Sequence, residues 1–88
     1  MLKIQRSVNN KDVILKLSGR LDESNLGELQ SLLGTETKDR PIILDLKDLT
    51  LVDRETVKFL ERCEADSIKL ANCPAYIREW ITRERGGN

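Results

Sequence analysis

Two hydrophobic periods alternate along the chain and predict an alternation of strands and helices. Near the start, apolar residues occupy every second position, first at Leu2 and Ile4 and then from Val13 to Leu17. This pattern is typical of strands with one buried face and one wetter face. A polar turn at residues 9–12 separates the two runs. The sequence therefore begins with a predicted hairpin.

The middle of the chain contains the clearest change of period. The apolar run from Ile42 to Leu46 is interrupted only by Asp45, and it predicts a strand that is covered on both faces. A short crossing loop is then expected to lead to Asp53. Beyond it, apolar residues recur at helical spacing as far as Cys63, which predicts a helix.

Asp53 has the features of a helix N-cap, because its carboxylate can accept hydrogen bonds from the unpaired N–H groups of the first turn. Val52 and Val57 stand at the N′ and N4 positions around it, the spacing of a hydrophobic staple. We expect this helix to run to about Asp66. A strand that leads into a capped helix start is where α/β sheets usually carry their binding surface.

An earlier helix is predicted to begin at Asp22, which can act as its N-cap. Leu21 and Leu26 provide the staple positions, and Gly34 is expected to end the helix.

The last part of the chain predicts one short strand and one helix. The strand is expected at Ser67–Ala71, and the helix is expected to begin at Pro74, whose missing N–H costs nothing in the first helical position. Ile77, Trp80 and Ile81 share one face of this helix. Their phase places Trp80 in the core rather than on the surface as an interface anchor.

The resulting order of elements is ββαβαβα. Strands that alternate with helices after a hairpin imply parallel pairing through right-handed crossovers. The fold class is therefore α/β, a small mixed β-sheet with helices packed on it. At 88 residues the chain has room for a single domain, residues 1–88.

Composition and charge exclude several kinds of partner. Fifteen basic and fifteen acidic residues cancel, and one Phe, one Trp and one Tyr offer little surface for stacking on bases, so we expect no nucleic acid partner. No apolar run approaches the roughly 20 residues of a membrane span. Residues 1–20 show no signal peptide. We therefore expect a cytoplasmic protein without membrane insertion.

The residue types also argue against catalysis. The chain contains no His, which removes the commonest general base and metal ligand. Cys63 and Cys73 are too few and too far apart for a metal knuckle or a redox pair, so we expect two buried, reduced thiols. A Gly-rich phosphate loop is absent as well. The sequence predicts a non-enzyme without a metal or a cofactor.

Three short segments resemble the STAS domain, the family of the bacterial anti-sigma-factor antagonists and of the cytoplasmic domains of sulfate transporters. The central segment is Leu-Asp-Leu at residues 44–46, followed by Leu-Thr-Leu-Val-Asp at residues 49–53. Gly-Arg-Leu-Asp at residues 19–22 resembles the family's second-strand ending, and Asn-Cys-Pro at residues 72–74 resembles the turn before its third helix. The resemblance covers about residues 15–84. It implies a C-terminally shortened STAS domain, because fuller members continue with another strand and helix.

The chain departs from the family at the regulatory motif. Regulatory STAS members carry Asp-Ser-x-Gly at this helix start, and a partner kinase phosphorylates the Ser. The four positions here are Asp53, Arg54, Glu55 and Thr56. Arg54 replaces the acceptor Ser, so the resemblance implies a domain that is not switched by Ser phosphorylation. Thr56 is the nearest hydroxyl and is expected to be half-buried.

The resemblance implies a non-catalytic protein-interaction module of bacterial signalling, similar to an anti-sigma-factor antagonist, with a protein partner such as a kinase-like anti-sigma factor. The expected partner-binding residues are Arg20, Asp22, Asp53, Arg54, Glu55 and Thr56. Two alternatives stay open. One is a domain that senses a small anion or nucleotide at the helix start, although the two carboxylates there would repel it. The other is an accessory STAS subunit of a transport ATPase.

Two further expectations concern surfaces. Arg54 places a cation at the positive end of a helix, against the macrodipole. It therefore lacks a local explanation, and a partner contact would supply one; the other interpretation is a helix cap among solvated charges. We also expect a weak homodimer at high concentration, through the edge of the Ser67–Ala71 strand or through the apolar surface that the missing last helix would have covered.

Overall fold

The computed structural model describes residues 2–35 and 40–86, and it has the predicted order of elements. The strands and helices have the following bounds: β1 Leu2–Asn9, β2 Asp12–Leu21, α1 Glu23–Thr35, β3 Ile42–Val52, α2 Arg54–Ala65, β4 Lys69–Ala71 and α3 Ala75–Arg85. No helix in these residues is long and apolar enough to cross a membrane.

The strands form one mixed sheet in the order β1-β2-β3-β4. β1 and β2 pair antiparallel as the predicted hairpin, and Asn10 in the turn has a φ of 58°, a left-handed conformation that Asn tolerates. β2 and β3 pair in parallel, and so do β3 and β4. The predicted α/β fold class is confirmed.

The helices cover one face of this sheet. Along β3, Leu44 and Leu46 are buried, whereas Ile43 is half-buried and Lys47 is exposed. The expectation that this strand is covered on both faces is wrong. The chain steps in one direction from β2 to β4, and right-handed crossovers in one direction place their helices on the same side. The core between this face and the helices consists of Val13, Leu15, Leu17, Leu21, Leu29, Leu44, Leu46, Leu49, Val52, Val57, Phe59, Leu60, Cys63, Leu70, Ile77 and Ile81.

β3 is longer than predicted. It runs over Ile42–Val52, where the sequence predicted a loop after Leu46. Its pairing with β2 slips in register at two points, and each slip is a β-bulge that adds one residue to β3. As a result Leu46, Leu49 and Val52 are all buried, although they stand at every third position. This spacing breaks the two-residue alternation by which a strand is recognised.

The bounds of the other elements differ from prediction by one or two residues. α1 ends at Thr35 and includes Gly34, where an added Cβ would meet no atom within 4 Å. β4 begins at Lys69 rather than Ser67, because Ser67 belongs to the C-terminal cap of α2. Pro74 is the N-cap of α3 and not its first residue, since its carbonyl accepts the first bonds of the helix.

The inward face of α3 agrees largely with prediction. Ile77 and Ile81 are fully buried, and Trp80 is half-buried against the core rather than enclosed in it. Both cysteines are free, as expected, but only Cys63 is buried, and Cys73 is half-buried.

Candidate functional site

The starts of α1 and α2 lie side by side and share the carboxylate of Asp53. Its Oδ1 accepts from the backbone N–H of Thr56 at 2.9 Å, so Asp53 is the predicted N-cap of α2. Its Oδ2 accepts from the backbone N–H of Glu23, in the first turn of α1, also at 2.9 Å. Partial burial raises the pKa of Asp53, but the hydrogen bonds from Thr56 and Glu23 outweigh it, and the pKa lies below its ordinary value. The ionised carboxylate therefore holds two helix starts together.

Thr56 attaches the start of α2 to the sheet. It is fully buried, and its Oγ1 donates to the carbonyl oxygen of Leu21 at 3.0 Å. Leu21 is the last residue of β2, so this bond ties the helix to the end of that strand. The expectation of a half-buried Thr56 is wrong, because the hydroxyl finds its partner inside the protein. Its side chain lies beneath the surface of the site.

Asp22 is the N-cap of α1, as predicted. Its Oδ1 accepts from the backbone N–H of Ser24 at 3.0 Å and from the Ser24 hydroxyl at 2.5 Å. Asn25 completes the turn, since its Oδ1 accepts from the Asp22 N–H at 2.9 Å and its Nδ2 donates to the Arg20 carbonyl at 2.8 Å. The hydrogen bond from Ser24 lowers the pKa of Asp22. The reciprocal bonds resemble a capping box.

Arg54 has a partner within the chain. Its Nε lies 3.6 Å from the Oε1 of Glu84, near the end of α3. The expectation that Arg54 lacks a local explanation is therefore wrong, because this carboxylate offsets the cation at the helix start. The Arg54 side chain nevertheless remains 67% exposed, whereas that of Glu84 is 17% exposed. An ion pair of this length with one largely exposed partner contributes little to stability. Its guanidinium is available at the surface.

Arg20 and Leu51 form the strand side of the site. They pair across β2 and β3, close to the C-terminal ends of both strands. The Arg20 Nε lies 3.8 Å from the Oδ2 of Asp22, and 57% of its side chain is exposed. Leu51 is 48% exposed, although it is a large apolar residue. Glu55 is exposed in the first turn of α2.

The predicted residues thus lie around the starts of α1 and α2. The surface that they form is named the helix-start face and is defined by Arg20, Asp22, Leu51, Asp53, Arg54 and Glu55. Sequence reasoning missed Leu51 and Glu84. Leu51 could have been found from the sequence. It and Val52 are successive apolar residues, and two successive residues of a strand cannot both face a core on one side of a sheet. Glu84 could not have been found in this way, since its contact joins distant parts of the sequence.

The described side chains offer few groups for metal binding or nucleophilic attack. In residues 2–35 and 40–86, no three His, Cys, Asp or Glu side chains are grouped to hold a metal ion. Burial raises the pKa of Cys63 to about 12 and also raises that of Cys73, so both thiols stay protonated and weakly nucleophilic. An anion at the helix starts would have to compete with Asp53 for the N–H groups of Glu23 and Thr56.

Comparison with known proteins relates this chain to others by fold. No protein-family model matches the sequence, and no curated protein matches it. One similar solved structure is described as a crystal structure analysis of Mglu, with a TM-score of 0.55 and 21% identity; the match covers 81% of this chain and only 19% of that chain. Another is an uncharacterized protein of the DUF3478 family with a SpoIIAA-like fold, from Shewanella loihica. Its TM-score is 0.53 and its identity 16%, over 97% of this chain and 77% of that chain. The chain therefore has a SpoIIAA-like, or STAS-like, fold.

Proposed function

We propose that this chain is a non-catalytic protein-interaction module of bacterial signalling that works in the cytoplasm, similar to an anti-sigma-factor antagonist. It binds its protein partner through the helix-start face. The STAS-like fold supports the proposal at the level of fold. The observation that carries it is the bridge made by Asp53, since one carboxylate fixes two helix starts relative to each other. A surface that is already ordered loses little entropy when it binds.

The module is not switched by phosphorylation at this helix start. The residue after Asp53 is Arg54, which has no hydroxyl, and the Thr56 hydroxyl is buried and bonded to the backbone. A kinase would have to open the start of α2 to reach it. Mass spectrometry after incubation with candidate serine/threonine kinases should show no phosphate on Thr56. Stoichiometric phosphorylation there would contradict a constitutive module.

Arg54→Ala tests the binding face. Because the Arg54 side chain is largely exposed and its ion pair is long, the change should alter the free energy of unfolding by less than ~0.5 kcal/mol. If the guanidinium is desolvated in the complex, the same change should weaken binding by about 1 kcal/mol or more. Arg85→Ala is the matched control, since Arg85 is also exposed and pairs with Glu64, near the opposite end of α2. The measurements are urea unfolding of each variant and calorimetric titration against the purified partner. Wild-type affinity in Arg54→Ala would contradict the proposal that the partner binds at the helix-start face.

The same experiments separate the two alternatives. Identification of the partner distinguishes a signalling module from an accessory subunit of a transport ATPase. Titration with ATP or inorganic phosphate tests the anion sensor. That function would require displacement of Asp53 from the N–H groups of both helix starts, so we expect no saturable binding.

A further inference from the structure

Three large apolar side chains are exposed in the part of the chain that the structure describes: Val8, Leu51 and Tyr76. Val8 lies beside the hairpin turn, and Tyr76 lies in the first turn of α3. Leu51 is the member of this group that belongs to the helix-start face. An exposed apolar side chain is stabilised when a partner removes it from water, and such residues serve as anchors where a pocket receives them.

The exposure of Leu51 results from a bulge in β3. Leu49 is buried, so regular alternation would turn Leu51 into the core and Val52 out to solvent. The pairing with β2 slips by one residue at this point, and Thr50 is the extra residue. The slip reverses the alternation, so that Val52 is buried and Leu51 is exposed.

Two residues hold this bulge in place. Gly19 on β2 has a φ of 95°, a backbone conformation that residues with a side chain rarely adopt. The Oγ1 of Thr50 donates to the Gly19 carbonyl at 3.0 Å. Bulges commonly re-aim a side chain next to a functional site. The outward direction of the Leu51 side chain is therefore set by the backbone geometry of β2 and β3.

The charges on the helix-start face indicate the chemistry of the partner. Arg20 is its neighbour on β2, and Arg54 follows it by three positions in the sequence. The carboxylates that pair with these arginines in this chain lie 3.8 and 3.6 Å away, so both guanidiniums can exchange them for closer ones. Glu23 and Glu55 are exposed at the helix starts. Acidic groups of a partner are therefore expected against Arg20 and Arg54 and not against Glu23 and Glu55.

We propose that Leu51 is the apolar anchor of the partner contact, and that the partner is a protein with an apolar pocket that carries Asp or Glu at its rim. The inference rests on the proposed function and adds to it the anchoring residue and the chemistry of the partner surface.

Site-specific photo-cross-linking tests the anchor. Three full-length variants carry p-benzoylphenylalanine in place of Leu51, Arg54 or Tyr76 and are irradiated in the native cell. We expect positions 51 and 54 to cross-link to the same protein and position 76 to cross-link to none. The peptide joined to position 51 should come from an apolar pocket with acidic residues at its rim.

Binding of the purified partner then supplies the quantitative test. Leu51→Ser should raise the Kd by about tenfold or more, and Arg20→Glu should also raise it. Tyr76→Ser, a change at an equally exposed position, should leave the Kd unchanged. All three positions are exposed, so the variants should fold, and circular dichroism with thermal melting verifies this before binding is compared.

The remaining outcomes separate this inference from the proposed function. Cross-links from position 54 but not from position 51 would overturn the anchor and leave the function standing. Cross-links from neither would contradict the function itself. A cross-link from position 51 to a second copy of the chain, or to a basic surface, would overturn the proposed chemistry of the partner.

Discussion

Asp53 accepts one backbone N–H from each of two helices, whereas an ordinary N-cap serves one helix only. Its two oxygens act on the first turn of α2 and on that of α1. The Thr56 hydroxyl bonds the same helix start to the end of β2. These bonds order the helix-start face within the chain itself.

Alanine substitution distinguishes this double cap from a single one. Asp53→Ala leaves the N–H groups of Glu23 and Thr56 without their acceptor, so we expect a loss of about 2 kcal/mol in the free energy of unfolding, the upper end of cap losses. Asp22→Ala removes a cap from α1 alone and should cost less than Asp53→Ala. Urea unfolding at neutral pH measures both. Equal losses would contradict the second role of Asp53.

The two caps could be predicted from the sequence because they depend on local spacing. An Asp before a helical period, with apolar residues on both sides, is sufficient to identify Asp22 and Asp53. The contacts of Asp53 with Glu23 and of Arg54 with Glu84 could not be predicted. They join residues 30 positions apart, and only the packed fold brings such residues together.

The order of the elements could also be predicted from local patterns, whereas the second half of β3 could not. Hydrophobic period identified each helix and strand, and the handedness of crossovers indicated the parallel pairing. The two bulges place buried residues of β3 at every third position, which is neither a strand nor a helix period. The same bulges produce the exposed Leu51, so the misassigned loop and the missed site residue have one cause.

The C-terminus of α2 contains another local motif whose contribution to the free energy of unfolding can be measured. The N–H of Ser67 donates to the Glu64 carbonyl, and that of Ile68 donates to the Cys63 carbonyl, which is the pattern of a Schellman motif. Ser67 occupies the left-handed position of this motif with a φ of 69°. Gly is the usual residue there, because a Cβ is strained in this conformation.

Ser67→Gly should therefore stabilise the protein. Relief of left-handed strain gains about 1–2 kcal/mol, and the greater freedom of Gly in the unfolded chain offsets about 0.4–1 kcal/mol of it. The net gain should raise the Tm by a few degrees in a scanning calorimeter. Ser67→Ala is the control, since it removes the hydroxyl and keeps the Cβ. An equal rise in both variants would rule out backbone strain as the cause.

In the described residues, each of the two outer strands of the sheet has one unpaired edge. β1 and β4 are the outer strands of the sheet, and each pairs on one side only. β4 is 3 residues long and borders a cleft of about 610 Å³, with Ile68 and Leu70 among the residues that line it and with Glu61 and Arg85 beside them. The formal net charge is zero, so no overall repulsion keeps two copies apart.

We propose that two copies associate weakly through the β4 edge. A strand of 3 residues offers few backbone hydrogen bonds, and Lys69 places a charge at its start, so we expect a Kd on the order of 1 mM. Lys69→Ile removes that charge and should lower the Kd several-fold in sedimentation equilibrium. Lys3→Ile makes the same change on the β1 edge and should leave the Kd as it is. If wild type and Lys69→Ile both remain strictly monomeric at millimolar concentration, the β4 edge does not bind a second copy. If Lys3→Ile lowers the Kd as much as Lys69→Ile does, the contact does not depend on the β4 edge.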